Sequence, residues 1–333
     1  MLKKLTINKY NETIYYDKLD NGLEVYMWPQ TNVSNFYETL SVKYGSIDTE
    51  FKIGNETQKV SKGIAHFLEH VKFNEGPNKT AHDYYNKLGS SINAFTTFDY
   101  TAYEVLASAN LKENITHLLD YVETPYFTKE LIEKERKIIL NEVKMGKNNP
   151  YQVLYYHLNN ALFHNNQRKY YVTGDEEDVK NITLEEIKLV YNTFYHPSNM
   201  FLTVTGNFDP DYLDVIIREN QNSKEFPKYL NPLKIKPKEK ETVNEERVTV
   251  NGNVTTPKLR IAYKIKKSSL GNISDMEKLV YTRIILNANF GTTSDIKERL
   301  LESNLISKLS TNAYLVDDFL IININAETKY QMK

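Results

Sequence analysis

Cysteine is absent from this sequence of 333 residues, so disulfides, thiolate nucleophiles and metal sites with sulfur ligands are excluded. The formal net charge is only −1, and no positive field therefore favours nucleic acid or an anionic membrane as a partner. No stretch approaches the roughly 20 apolar residues that a membrane-spanning helix needs. Residues 1–10 are basic but lack the apolar core of a signal peptide. We therefore expect a cytoplasmic protein that binds any metal through histidine and carboxylate.

The length of the chain predicts two globular domains, since 40% of its residues are hydrophobic and 26% are charged. Residues 222–242 are rich in Lys, Glu and Pro, which predicts a linker between a domain at 1–221 and a domain at 243–333. Groups of strands followed by groups of helices are typical of α+β proteins, in which helices cover an antiparallel sheet. The second region weakly repeats the order of the first but is short. We therefore expect two related α+β domains, the second inactive and truncated, in a chain that is a fragment.

Local signals predict individual elements. Asn21-Gly22, between two runs of strand formers, predicts a hairpin with a two-residue turn. Cap residues predict helices that begin after Thr80, Thr128 and Thr183. Further strands are predicted at 91–97, 100–106, 247–250 and 259–263, and a further helix at 277–288.

Two histidines, His66 and His70, stand four residues apart in a stretch that suits a helix. At that spacing both imidazoles lie on one helix face and can reach a single zinc ion. Glu69 leans onto the same face, and the order His-x-x-Glu-His is the inverted zinc-protease motif. Five residues alone leave a second interpretation open, in which an ordinary helix carries two histidines and a solvated glutamate.

A third metal ligand is predicted on the long helix after Thr128. Helical spacing there predicts a core stripe that contains two carboxylates, and it consists of Leu131, Glu135, Ile138, Glu142 and Met145. A buried carboxylate costs several kcal/mol unless a cation faces it, and zinc, lysine or arginine could supply that charge. The alternative is a solvated helix face. We predict Glu142 as the third ligand and Glu135 as its supporting partner.

Together these residues resemble the insulinase and mitochondrial processing peptidase family (M16) of zinc metallopeptidases. The inverted motif, Glu142 on a distant helix and Glu135 seven residues before it all match. Three further segments match in order, and they are 91–96, 133–145 and 194–207. Residues 43–48 and 196–200 resemble, more narrowly, the bacterial branch associated with elongation factor P modification.

The resemblance implies one Zn²⁺ per chain, bound by His66, His70 and Glu142. It implies that Glu69 acts as the catalytic general base and that Glu135 tunes the site from behind the ligands. The implied function is a zinc metalloendopeptidase.

The resemblance also implies how a peptide substrate binds, as an added strand along Asn93, Ala94 and Phe95. Family members enclose a chamber between two similar halves, so a homodimer or a heterodimer with a related subunit is implied. One departure stands out, because Leu301 and Ser307 occupy the places of an Arg and a Tyr that hold substrate in the family. The alternative function is therefore a non-catalytic or partner-dependent subunit of a peptidase or maturation complex. A third hypothesis is a peptide-binding partner in a modification pathway.

Overall fold

The computed structural model describes residues 2–10 and 12–330. Its contacts divide the chain into two compact units. The first unit runs up to Val143 and includes Tyr171–Lys236, and the second unit comprises Lys144–Tyr170 and the chain from Pro237. The domain boundaries given above stay a prediction, and the compact units divide the chain differently at residues 144–170.

The strands are Lys3–Ile7 (β1), Glu12–Lys18 (β2), Glu24–Pro29 (β3), Phe36–Val42 (β4), Glu50–Ile53 (β5), Glu56–Lys59 (β6), Asn74–Gly76 (β7), Lys79–Thr80 (β8), Ser91–Thr96 (β9), Thr101–Ala107 (β10), Met200–Gly206 (β11), Leu233–Lys234 (β12), Lys258–Lys266 (β13), Lys308–Val316 (β14) and Phe319–Glu327 (β15). The helices are Ile64–Lys72 (α1), Ala81–Leu88 (α2), Leu111–Glu123 (α3), Lys129–Asn148 (α4), Pro150–Leu162 (α5), Glu176–Asn181 (α6), Leu184–Phe194 (α7), Pro210–Asn222 (α8), Asp275–Phe290 (α9) and Asp295–Glu302 (α10).

The first unit is built on a seven-stranded sheet with the order β1-β2-β3-β11-β4-β10-β9. All its pairings are antiparallel except that of β11 with β3. Residues in β11 alternate between buried and half-buried, as expected for a strand with one face on a core. The predicted α+β fold is confirmed. The order leaves β9 at one edge of the sheet.

Several predicted element boundaries are confirmed. Thr80 and Thr183 each form a capping box at the start of their helices. The hairpin at Asn21-Gly22 is present, but its loop is longer than the predicted two residues because β2 ends at Lys18 and β3 begins at Glu24. The backbone of Leu19 pairs with that of Leu23 across this loop.

The predicted core stripe of α4 was wrong at Ile138, Glu142 and Met145. Ile138 is 41% exposed and Met145 is 72% exposed. The buried residues of the helix are Leu131, Ile132, Glu135, Ile139 and Val143. Four of them, from Leu131 to Val143, recur every four residues, and Ile132 lies beside that row. The buried stripe therefore slants around the helix and passes beside Glu142 rather than through it.

The second unit contains a three-stranded antiparallel sheet with the order β13-β15-β14. The predicted strand at 259–263 and helix at 277–288 are confirmed within β13 and α9. The predicted strand at 247–250 was wrong, because these residues form no strand. Val248 and Val250 are both exposed, so their side chains do not pack against a core. The hairpin of β14 and β15 was not predicted.

Part of the predicted linker is ordered by pairing. Leu233–Lys234 adds to β5 as β12, and Lys234 Nζ donates to Asp48 Oδ2 at 2.7 Å. Further along, Glu239 accepts hydrogen bonds from three consecutive backbone N–H groups at residues 164–166. Within the described residues, no helix is both long and apolar enough to cross a membrane. The cytoplasmic location stays a prediction.

Candidate metal centre

The candidate centre begins with the orientation of α1. Gly63 precedes the helix with a φ of +81°, and a Cβ there would lie 2.2 Å from the carbonyl oxygen of Thr173. Only glycine fits this close approach in the left-handed region. Ile64, Phe67 and Leu68 are buried and fix the rotation of the helix. The motif residues are thereby directed to the opposite side.

Three predicted ligands converge. His66 Nε2 lies 3.7 Å from Glu142 Oε2, and His70 Nε2 lies 3.4 Å from the same oxygen. One ligand atom from each residue falls within a common span of 4.8 Å. Within residues 2–10 and 12–330, this is the only group of three or more His, Cys, Asp or Glu side chains with that property.

The donor set fits zinc. Ligand atoms about 2.1 Å from a tetrahedral zinc ion stand about 3.4 Å apart, which is close to the separations found between the imidazole nitrogens and Glu142. Two imidazoles and one carboxylate are also a ligand set of catalytic rather than structural zinc sites, because they leave a fourth position for water.

Charge in the centre also suits a cation. Burial and the neighbouring imidazole of His70 lower the pKa of His66 to about 4, so His66 presents a neutral nitrogen. Hydrogen bonding to His70 lowers the pKa of the Glu142 carboxyl. Burial lowers the pKa of His70, but Glu135 and Glu142 outweigh it and raise that pKa to about 9. The two glutamates thus favour positive charge at the His70 ring.

Glu135 lies beside the ring nitrogen of His70 that does not face Glu142. Its Oε2 is 3.6 Å from His70 Nδ1, and the residue is only 5% exposed. Lys134 Nζ is 3.6 Å from its other oxygen, and Asn74 donates to that oxygen at 3.3 Å. Glu135 is therefore a buried carboxylate with cationic neighbours, as its place in the stripe predicted. Glu142 does not meet that expectation, because its side chain is 41% exposed.

Glu69 is a buried residue between His66 and His70 in the sequence, and its carboxylate contacts Thr96. It is 6% exposed, and its Oε2 accepts a hydrogen bond from Thr96 Oγ1 at 2.5 Å. Burial raises the pKa of the Glu69 carboxyl, and the hydrogen bond from Thr96 partly opposes this. A carboxyl with a raised pKa is suited to general acid–base chemistry near neutral pH.

The predicted substrate strand is the edge strand β9. It pairs with β10 on one side and ends the order of the sheet. Asn93 and Phe95 are exposed, whereas Ala94 is half-buried. Ala94 shares its face with Thr96 because side chains alternate along a strand, and Thr96 is the partner of Glu69. The Asn93 amide donates to Glu104.

Other residues of the site were missed from sequence. Asn74, Lys134 and Thr96 contact the predicted residues, yet no spacing rule connects them. Thr96 lies within the predicted strand, but its contact with Glu69 depends on how α1 crosses β9. Leu301 and Ser307 are both exposed in the second unit, and the Ser307 backbone N–H donates to Glu327.

Comparisons with known proteins agree with the family resemblance. The profile described as insulinase (Peptidase family M16) matches residues 40–176, and the profile described as Peptidase M16 inactive domain matches residues 181–331. The uncharacterized zinc protease YmfH of Bacillus subtilis is 34% identical over 310 residues, which are 92% of this chain and 72% of that protein.

Two further comparisons add structure and scale. The crystal structure of an M16-like peptidase from Alicyclobacillus acidocaldarius superposes with a TM-score of 0.89 and 32% identity, over 96% of this chain and 75% of that chain. An uncharacterized zinc protease of Rickettsia felis is 27% identical over 204 residues, which are 60% of this chain and 48% of that protein. The chain thus spans about half the length of that relative. The narrower resemblance to the elongation factor P branch stays a prediction. The chain belongs to the insulinase family of peptidases, family M16.

Proposed function

We propose that this chain is a zinc-dependent endopeptidase that hydrolyses peptide bonds in extended or unfolded segments. The observation that carries the proposal is the convergence of His66, His70 and Glu142 next to the buried carboxyl of Glu69. Relatives named zinc proteases support it.

In this proposal His66, His70 and Glu142 hold one Zn²⁺. Bound zinc supplies Lewis acidity that activates water and polarises the scissile carbonyl. Glu69 accepts the proton of the attacking water and passes it to the leaving amine. Thr96 fixes the orientation of the Glu69 carboxylate. Glu135 orients the His70 ring through Nδ1, which supports the ligand geometry.

The substrate binds as an added strand on β9. The edge of a sheet offers unpaired backbone N–H and C=O groups, and main-chain pairing tolerates many side-chain sequences. A peptide on this edge lies alongside Asn93, Ala94 and Phe95. Thr96, at the end of the same strand, contacts Glu69, so the added strand passes the proposed base.

A second candidate function is a subunit that needs a related partner for activity. The observation that favours it is the pair Leu301 and Ser307, because neither side chain offers the cation or phenol that the family resemblance assigns to these places. In this alternative the chain binds zinc as a homodimer or heterodimer, and another subunit supplies the substrate contacts.

The test is the substitution Glu69→Gln, assayed with a flexible fluorogenic peptide and with metal analysis. The expected result is an unchanged zinc content and a turnover reduced about 10²–10⁴-fold. Glu113→Gln, an exposed glutamate on α3, is the matched control and keeps turnover. If Glu69→Gln cleaves the peptide at the original rate, the role of Glu69 is wrong.

The two candidate functions differ in the behaviour of the isolated chain. An endopeptidase cleaves the peptide alone and stops when a chelator removes zinc. A partner-dependent subunit binds zinc but cleaves only after a related subunit is added.

A further inference from the structure

The second unit holds a polar cavity of about 370 Å³ on one face of its sheet. Its lining consists of two arginines, two tyrosines and three asparagines, which are Arg168, Arg260, Tyr155, Tyr314, Asn312, Asn323 and Asn325. In the described part of the chain, neither Asp nor Glu lines this cavity. Its volume is within the range of small-ligand sites.

Strand register brings the central side chains together. Arg260 on β13 is the direct partner of Asn325 on β15. Asn323 lies two residues away on β15 and therefore on the same face. Side chains of direct cross-strand partners start about 5 Å apart, so a guanidinium and two carboxamides share one small area of the sheet.

Arg260 carries a charge that the surrounding side chains do not balance. The residue is half-buried, and burial lowers the pKa of its guanidinium. The Tyr155 ring lies 5.6 Å from the guanidinium carbon, and within the described residues no carboxylate contributes to its electrostatic surroundings. A half-buried cation of this kind is stabilised by a bound anion, and its planar fork matches a carboxylate.

The two asparagines leave acceptors without donors. The Asn325 amide nitrogen donates to the Ser310 carbonyl at 3.5 Å, which fixes its oxygen on the other side. Within the described residues, neither Asn325 Oδ1 nor Asn323 Oδ1 has a hydrogen-bond partner, and both atoms are buried. Asn323 itself is 5% exposed. Unpaired buried acceptors cost free energy that an N–H group of a ligand would recover.

We propose that this cavity binds a carboxylate with an adjacent N–H group, the chemistry of a peptide C-terminus or an N-acylated amino acid. The Arg260 guanidinium pairs with the carboxylate oxygens, and Arg168 adds positive charge to the same cavity. The N–H donates to the carboxamide oxygen of Asn325 or Asn323. All lining residues belong to the second unit, so the site is independent of the proposed zinc chemistry.

The test is calorimetric titration of the full chain, with its metal retained and no chelator present, with N-acetyl-Gly-Gly. Three matched probes are its C-terminal amide, propionate and inorganic phosphate. We expect saturable binding of N-acetyl-Gly-Gly with a Kd in about the millimolar range or below. The amide and propionate bind at least about tenfold more weakly, because each lacks one of the two groups.

Variants locate the binding. Arg260→Met keeps the aliphatic part of the side chain and weakens binding of N-acetyl-Gly-Gly at least about tenfold. Arg260→Lys keeps the charge but loses the planar guanidinium, so the loss of affinity is intermediate. Asn325→Ala removes a carboxamide and leaves the Arg260 charge in place. It weakens binding of N-acetyl-Gly-Gly but not binding of propionate. Arg299→Met on α10 changes an exposed arginine and leaves binding unchanged.

Several outcomes overturn the proposal. They are absence of saturation by N-acetyl-Gly-Gly, equal binding of its amide, or unchanged binding by both Arg260→Met and Asn325→Ala. Equal binding of phosphate or propionate overturns the role of the N–H group and leaves a simple oxyanion site.

Discussion

The helices α1 and α9 differ in what surrounds them. Seven of the nine residues of α1 are buried, including Leu68, which has no exposed surface. In the sixteen-residue helix α9 only Leu286 is buried, whereas Ile284 is 58% and Ile285 is 62% exposed. Packing therefore holds α1 over most of its surface and holds α9 on one side only.

The cores of the two units differ in the same sense. The first unit has one continuous core that reaches from its sheet to α1 and α4. The core cluster of the second unit contains five buried residues, which are Leu162, Phe163, Val316, Phe319 and Ile321. Metal ligands must be held within fractions of an ångström. The candidate metal centre therefore lies in the unit whose packing can provide that precision.

The largest expected difference between the units concerns their histidines. His70→Ala removes one proposed ligand, and we expect loss of stoichiometric zinc and of peptide cleavage. His164→Ala changes a histidine of the second unit that forms hydrogen bonds with Thr242 and Val243. We expect this variant to keep its zinc content and its peptide cleavage. Metal analysis and the peptide assay of both variants check this. Zinc retained by His70→Ala at the original affinity would contradict the ligand assignment.

The next largest effect concerns the cores. Leu68→Ala leaves a cavity and costs about 2–5 kcal/mol of unfolding free energy, whereas Ile285→Ala changes it by less than about 0.5 kcal/mol. Urea unfolding followed by circular dichroism measures both. The only tryptophan of the chain, Trp28, reports the first unit by fluorescence. Equal losses in the two variants would refute the contrast between the helices.

A smaller effect is expected from Glu135→Gln, which keeps the shape of the side chain but removes the charge beside His70. We expect zinc affinity to fall about 10–100-fold, since partners behind metal ligands have effects of this size. Glu130→Gln on the same helix changes an exposed glutamate and serves as control. Competition with a chelator of known affinity measures both, and identical affinities would remove Glu135 from the site.

The last effect is a pH dependence in the second unit. Burial opposes ionisation of Glu239, but hydrogen bonds from Lys264 and from the N–H groups of residues 164–166 outweigh it and lower its pKa to about 2. The pKa of Glu239 is lower in the folded protein than its ordinary value of 4.5. Ionised Glu239 therefore stabilises the fold above pH 4.5, and this stabilisation is lost as the pH falls towards 2. Glu239→Gln should therefore cost about 3 kcal/mol at neutral pH.

The control for this pH dependence is Glu241→Gln, whose side chain is 66% exposed. The difference between the wild type and Glu239→Gln should shrink as the pH is lowered through this window in urea unfolding. A difference that is constant with pH would show that the carboxylate charge of Glu239 does not contribute.

Local patterns predicted the parts of the structure that depend on neighbours in sequence. The spacing of His66 and His70 placed two imidazoles together, and Thr80 and Thr183 marked helix starts because a cap acts within one turn. Tertiary packing decided the rest. The buried stripe of α4 passes through Ile139 and Val143. The elements that pack against the helix decide whether its buried residues recur every three or every four positions, and the helix sequence alone does not show this.

Contacts between distant segments had no sequence signal. The hydrogen bond from Thr96 to Glu69 depends on α1 crossing β9, and neither residue type demands the other. The cavity around Arg260 depends on the register of β13 with β15, and the second of these strands was not predicted. The valines at 248 and 250 show the opposite error, in which a strand was predicted where none forms. Their alternation with polar residues resembles a strand, but their side chains do not pack against a core.

The central claim is that His66, His70 and Glu142 together bind one zinc ion. The most direct measurement is zinc K-edge X-ray absorption on the purified chain and on Glu142→Gln, with zinc quantified per chain. We predict one zinc with nitrogen and oxygen ligands only, two imidazoles among them, and a weakened or altered site in Glu142→Gln. Substoichiometric zinc in the wild type, or an identical spectrum in the variant, would contradict the claim.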